Sequence, residues 1–492
     1  MTSPTVSFYL EDYPRTLFPL ETNRIIIERS HDAVNKHIYQ NITSAKTSGS
    51  KFLPQTRAWA TKAGMHLRRT SKLDPIAEYF LYDLVYRNRR AFRASSGKTR
   101  INYGYRFVRG KPITAATGYK TFRSAVAKAL KEYKYCAKFD VSSYFNSIYH
   151  HDLVSWFREV AENESDVEFF DKFLKQTNAG RSVDCLPQGL YPAKMIGSHF
   201  LNVVDVSSRL TSPLLLRFMD DFYVFSDTEN DVVADFLRIQ EELGRRGLSV
   251  NPSKTKLSAV SDADVGRPVD AIKLALLQRR GRVITASSAD PDGDEESSDD
   301  ELSDEELEYL LDLMKTEDIE EEDAELILAL MRDHSSVVME HLPAFLARFP
   351  NLSKNVYHFA KVSEDPESVG EIIRVHAQNH GVLPEFQLFW FGAILQEQLL
   401  DTSHATDLVG LLLEHPNATS LTRSKILEIP DGRFGLPELR EEQLRGGASA
   451  WPGWAAAVGT RHLKRASRNH LLDYFANGSE MNGLIAACVR TL

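Results

Sequence analysis

Two adjacent carboxylates, Asp220 and Asp221, stand in the segment Leu216-Arg-Phe-Met-Asp-Asp-Phe-Tyr-Val-Phe-Ser226, between aromatic and β-branched residues that favour extended strands. The pattern predicts a hairpin with both acids at its tip, because Asp tolerates turn backbone. Two such side chains held close together repel unless protonated, paired with a base or neutralised by a divalent cation. Oxygen-only donors suit Mg²⁺, with Mn²⁺ as a substitute. Taken alone, Asp-Asp is better explained as a solvated turn, so its chemistry depends on its companions.

A third acid has its own scaffold. Tyr135–Phe139 reads as a short buried strand that delivers Asp140, and Val141-Ser-Ser-Tyr-Phe then leads through small polar residues into a helix with aromatic residues. Roughly eighty residues separate Asp140 from the pair, so their cooperation requires a sheet in which the two strands are neighbours. Between them, Leu186-Pro-Gln-Gly-Leu-Tyr-Pro reads as a turn entering a helix that runs to Leu201. After them, Gly247-Leu-Ser-Val-Asn-Pro-Ser-Lys-Thr-Lys-Leu257 supplies a strand and turn with Lys254 and Lys256. Leu73–Arg90 and Tyr119–Tyr133 carry apolar residues at helical spacing, the first ending in Arg87, Arg89 and Arg90.

The chain as a whole has 492 residues and a net charge of −9, and that charge is unevenly divided. Residues 1–139 hold 26 Lys+Arg against 9 Asp+Glu, a surface suited to neutralising phosphates. Residues 286–306 contain no Lys, Arg or aromatic residue and a single Leu, and read as a mobile acidic linker with at most a capped helix start near Ser303. Beyond it, segments such as Ala324–Asp333, Ser336–Phe349, Pro366–Asn379 and Ala405–His415 predict successive amphipathic helices, stacked in pairs as in HEAT-like repeats. Trp390, Phe391, Trp451 and Trp454 read as core anchors. Cys136, Cys185 and Cys488, odd in number and far apart, suggest neither a disulfide framework nor a zinc cluster. No run is long enough for a membrane span, and Glu11 and Asp12 break any secretory layout, so a cytoplasmic location is expected.

In their order and spacing, the segments around Asp140, Leu186-Pro-Gln-Gly, Phe218-Met-Asp-Asp and Lys254-Thr resemble the palm of reverse transcriptases. The likeness is greatest to the bacterial abortive-infection and defence-associated members: Ser147-Ile-Tyr-His-His151, Arg217 before Phe218, and a helical second half all resemble that group. Three departures stand out. Phe218 replaces the usual Tyr, Ala193 stands where a serine is familiar, and no long thumb fits between Lys256 and the linker.

The resemblance implies an α+β fold: a right-hand polymerase with an N-terminal extension (1–50), fingers and palm (51–285), the linker (286–306) and an all-α helical-repeat domain (307–492). It further implies two-metal nucleotidyl transfer, with Asp140, Asp220 and Asp221 as ligands and the Val141 carbonyl completing one shell. Phe145 would lie under the sugar and exclude a 2′-hydroxyl. Gln188 and Gly189, with Phe218 and Met219, would meet the incoming base pair, and Lys254 would protonate pyrophosphate. Arg68, Arg69, Arg106, Arg109 and Lys111 are candidates for triphosphate or template contacts. The implied partners are dNTPs, an RNA template such as an associated non-coding RNA, the DNA product and further copies of the chain, in antiphage defence, with no membrane. Priming from a protein hydroxyl is a further expectation. An RNA-dependent RNA polymerase would use the same acids, but Phe145 argues against ribonucleotides. A group II intron-type enzyme lacks its maturase region here, and an idle nucleic-acid-binding scaffold would not need all three acids.

Overall fold

The computed structural model describes residues 3–44, 49–94, 97–260, 272–273, 275–277, 279, 302–316 and 319–492. Most of the expected linker lies outside the described residues. The chain divides into two compact units that are discontinuous in sequence. One comprises residues 1–12, 35–56 and 71–269, the other residues 13–34, 57–70 and 270–492. Parts of the expected N-terminal extension and fingers therefore belong with the helical second half.

Nine strands occur among the described residues: β1 (Thr56–Thr61), β2 (Leu67–Lys72), β3 (Arg100–Asn102), β4 (Phe107–Val108), β5 (Lys111–Pro112), β6 (Tyr135–Phe139), β7 (Leu214–Phe218), β8 (Asp221–Ser226) and β9 (Lys256–Ala259). Five of them form the central sheet of the first unit, in the order β3-β7-β8-β6-β9. Only the β3–β7 pair is parallel. The neighbours that the acids require, β6 and β8, are indeed hydrogen-bonded, with Phe139 opposite Phe222.

Side-chain alternation gives this sheet two apolar faces. On one, Cys136, Leu216, Tyr223 and Phe225 pack against Phe122, Val126 and Ala129 of the helix Ala115–Glu132. On the other, Phe139 stacks on Phe222 at 5.1 Å, and Phe236 of the helix Glu229–Gly244 lies 5.0 Å from Phe139. Burying each of these rings is worth about 1.5–3 kcal/mol, which holds the β6–β8 register rigidly. The helix Pro75–Arg87 has a different environment from its amphipathic reading. It is buried continuously from Pro75 to Val85 and capped by Asp74, whose carboxylate accepts from the Ile76 and Ala77 amides. Its terminal Arg87 is tied internally to Asp83 and Asp166.

The second unit is helical from Asp304 onward. Ser303 forms a capping box with Glu306 at the predicted helix start. From the helix Glu321–Leu330 onward, helices pack largely on the one two places further along the chain. Trp390, Phe391, Trp451 and Trp454 are buried, as are all three cysteines, which are free thiols. An N-terminal segment is clasped within this unit. Buried Glu428 accepts from the Glu21 and Thr22 amides at 2.9 and 3.0 Å and pairs with Lys425 at 3.1 Å, so it caps a helix more than four hundred residues away. No described helix is long and apolar enough to cross a membrane.

Candidate active site

Asp140 follows the last residue of β6, and Asp221 is the first residue of β8. Continuing the Phe139–Phe222 register by one residue sets the two acids opposite each other, on the face away from the stacked rings. Asp220 occupies the two-residue tip between Phe218 and Asp221, which are themselves paired. The left-handed backbone of this turn falls on Met219, at φ +59°. The strain therefore sits beside the acids, and neighbouring groups must hold it.

Arg217 supplies that support. It is fully buried, its Nη1 donates to the Met219 carbonyl at 2.8 Å and the Ser198 carbonyl at 2.9 Å, and its other nitrogens reach Asp205 and Asn202. Ser198 is bonded in turn to Asn102, and Asn102 Oδ1 accepts from the Gly104 amide. Gly104 is required there, since a Cβ would lie 2.3 Å from Ser198 Oγ and 3.2 Å from the Met219 nitrogen. His199 borders the same network, between Asn202 and the Tyr105 carbonyl. Burial and the adjacent Arg217 guanidinium hold it down to about 3, so it is neutral in the fold.

This histidine gives the fold an acid sensitivity. Below its ordinary value near 6.5 the unfolded chain binds a proton that the folded chain refuses until about pH 3, so stability falls as pH drops through that window. Each unit in it costs about 1.4 kcal/mol. Between about pH 7.5 and pH 5, this group alone is expected to remove about 2 kcal/mol, measured by denaturant unfolding, with His199→Gln losing that share of the slope. His358 and His376 of the second unit, each held at about 4 by burial, act in the same direction.

The other expected residues are placed as follows. Val141 is buried and bridges Val250. Phe145 is buried against Gly197, where a Cβ would lie 3.1 Å from its ring. Gly189 takes φ +118°, a conformation that suits glycine, in the turn before the helix Tyr191–Phe200, with half-buried Gln188 before it. Phe218 packs among Tyr105, Tyr119 and Phe122, so a purely apolar ring suits its position. Arg106 donates to the Tyr103 and Gly104 carbonyls, while Arg109 and Lys111 are exposed on the β4–β5 hairpin. Arg68 and Arg69 lie on β2, within the part of the strand that belongs to the second unit. The Arg217–Asp205–Asn202 cluster and Gly197 were not foreseen. The one available signal was an arginine within the apolar run Leu214-Leu-Leu-Arg-Phe218, which demands a buried partner.

The family described as reverse transcriptase (RNA-dependent DNA polymerase) matches residues 105–310, which include all three acids. The chain carries a reverse transcriptase domain. It is a nucleotidyltransferase of the RNA-directed DNA polymerase class. No curated protein sequence matches the chain. Among solved structures, apo telomerase from Candida tropicalis is 12% identical, with a TM-score of 0.28 over 81% of this chain and 71% of that one. Telomerase from Candida albicans in complex with a fragment of telomeric RNA is 13% identical, with a TM-score of 0.27 over 94% and 70%. At such scores neither superposition bears on function here.

Reverse transcriptases generally use divalent metal ions. Among the described residues, no three His, Cys, Asp or Glu side chains are grouped tightly enough to hold one ion. The donor chemistry of the reverse transcriptase domain nonetheless fits a hard cation. Asp140 Oδ1 is buried without a hydrogen-bond partner, while Oδ2 accepts from Lys254 Nζ at 3.0 Å. Burial, together with Asp221 and Asp140, pushes Asp220 up to about 6, and burial with Asp140 raises Asp221 as well. A cation between Asp220 and Asp221 would relieve both burial and repulsion.

Proposed function

We propose that this reverse transcriptase domain synthesises DNA from dNTPs on an RNA template, with Asp140, Asp220 and Asp221 as its metal-binding acids. The observation that carries the proposal is the convergence of the three acids at one end of the β6–β8 pair, with an orphaned carboxylate oxygen on Asp140 and with Asp220 and Asp221 raised by burial and by the neighbouring acids. Two Mg²⁺ ions, held by these carboxylates and the Val141 carbonyl, would supply activation of the 3′-hydroxyl and neutralisation of the triphosphate. Phe145 closes the sugar side of the pocket, Gly189 and Gln188 approach the incoming base pair with Phe218 and Met219 beneath, and Lys254 is placed to give a proton to pyrophosphate. Arg106, Arg109 and Lys111 offer positive charge to phosphates.

Packing of helices two places apart supports a helical-repeat reading of the second half, whose long lateral faces suit assembly of several copies. The wider setting is an antiphage system with a non-coding RNA as template or a protein hydroxyl as primer, as the sequence resemblance implies. Incubation with labelled dNTPs, Mg²⁺ and RNA tests the core of the proposal. The wild type is expected to incorporate label, and Asp220→Ala/Asp221→Ala to lose about a thousandfold or more. Equal incorporation by the two would sink it.

A further inference from the structure

The backbone that bears Lys254 is fastened beside the acids. The turn Pro252–Lys254 is capped by the Asn251 side chain, which accepts from the Ser253 amide. The Asn251 amide donates to the Asp140 carbonyl at 2.9 Å, the Ser142 amide donates to the Ser249 carbonyl at 2.8 Å, and Val141 bridges Val250. The segment bearing the lysine is thus fastened on both sides of Asp140. From there Lys254 Nζ reaches Asp140 Oδ2 at 3.0 Å, leaving Oδ1 buried and unpartnered. Its side chain is 67% exposed, so nothing steric keeps the ammonium there.

We infer that Lys254 is a built-in competitor for the metal site, a tethered cation that occupies Asp140 until a divalent ion displaces it. The inference rests on the acids being the metal ligands. Its physical basis is charge competition: a divalent ion drawn to Asp140 meets the Lys254 ammonium already on the same carboxylate, and repulsion between the two cations offsets part of the ion's gain until the ammonium leaves. Displacement frees the ammonium at the moment the site is loaded, when a mobile cation is needed for the departing phosphates. The same lysine thereby serves the empty and the loaded site in succession.

The test is Mn²⁺ binding to the full-length protein without nucleotide, followed by the electron paramagnetic resonance signal of free Mn²⁺. Lys254→Met, which keeps the length and removes the charge, is expected to tighten binding about threefold to tenfold. Lys254→Arg, which keeps the charge, is expected to show no tightening. Asp140→Asn is the control on the site itself. Binding that is lost in Asp140→Asn but not tightened in Lys254→Met overturns the inference and leaves the metal site standing. Wild-type binding indifferent to Asp140→Asn overturns both. Tightening in Lys254→Met and Lys254→Arg alike would make the effect one of packing and overturn the competitor role.

Discussion

Arg217→Ala is expected to lower the stability of the unit that bears the acids by about 3–5 kcal/mol and to take nucleotide incorporation with it. The guanidinium is fully buried against Asp205, so truncation leaves a buried carboxylate without its partner. It also removes the donor that Nη1 gives to the Met219 carbonyl, inside the turn whose left-handed residue stands next to Asp220. Asp205→Asn, which keeps the shape and one acceptor, should cost less. Arg217→Met combined with Asp205→Leu tests whether charge or shape matters. If the pair's contribution is mainly mutual compensation, the double variant recovers stability, because an apolar replacement leaves no uncompensated ion. Incorporation should remain low in that variant, since no group then holds the Met219 carbonyl. Chemical denaturation followed by circular dichroism, alongside dNTP incorporation, separates the two effects. An Arg217→Ala protein with an unchanged unfolding midpoint would refute the argument.

The acids were legible in the sequence because they lie at or beside the ends of strand-forming runs. Tyr135–Phe139 is a strand with the expected bounds, and the aromatic run after Asp221 forms β8. Such runs carry their own period and end at residues a strand cannot bury, so local chemistry is enough to find them. Pairing of β6 with β8 could only be required by the chemistry, since strand order is a matter of long-range packing. The parallel β3–β7 pair and the β9 edge gave no local sign at all. The same limit applies to Arg217. Its place in an apolar strand announces a buried partner, yet Asp205 is one of many acids, and only the fold selects it. The division of the chain was the least legible feature. Glu428 caps the segment at Glu21 and Thr22 through contacts spanning over four hundred residues, and no composition shift marks residues 13–34 or 57–70 as belonging to the helical half.

Phe145→Ala is expected to raise ribonucleotide use relative to deoxyribonucleotide use by about a hundredfold. The ring is wedged rather than loosely packed. It meets the Tyr144 ring edge-on at 5.4 Å, and the Tyr144 hydroxyl donates to the Gly197 carbonyl at 2.6 Å. On the far side, a Cβ on Gly197 would lie 3.1 Å from the ring's Cε1, so the glycine leaves the ring its depth. A ring clamped in this way cannot swing aside for an extra hydroxyl, so exclusion by shape is strong if the sugar lies over it. Removing a buried Phe costs about 3–5 kcal/mol in stability, which would lower total activity through unfolding. The ratio of rNTP to dNTP incorporation within one preparation is immune to that loss, because both reactions use the same folded fraction. Phe145→Val, a smaller truncation, should shift the ratio in the same direction by less. Gly197→Ala acts from the opposite side: its methyl pushes on the clamped ring, so dNTP incorporation should fall with no gain for rNTPs. If the ratio stays constant in both Phe145 variants, the ring is core packing, and selection of the sugar belongs to another residue.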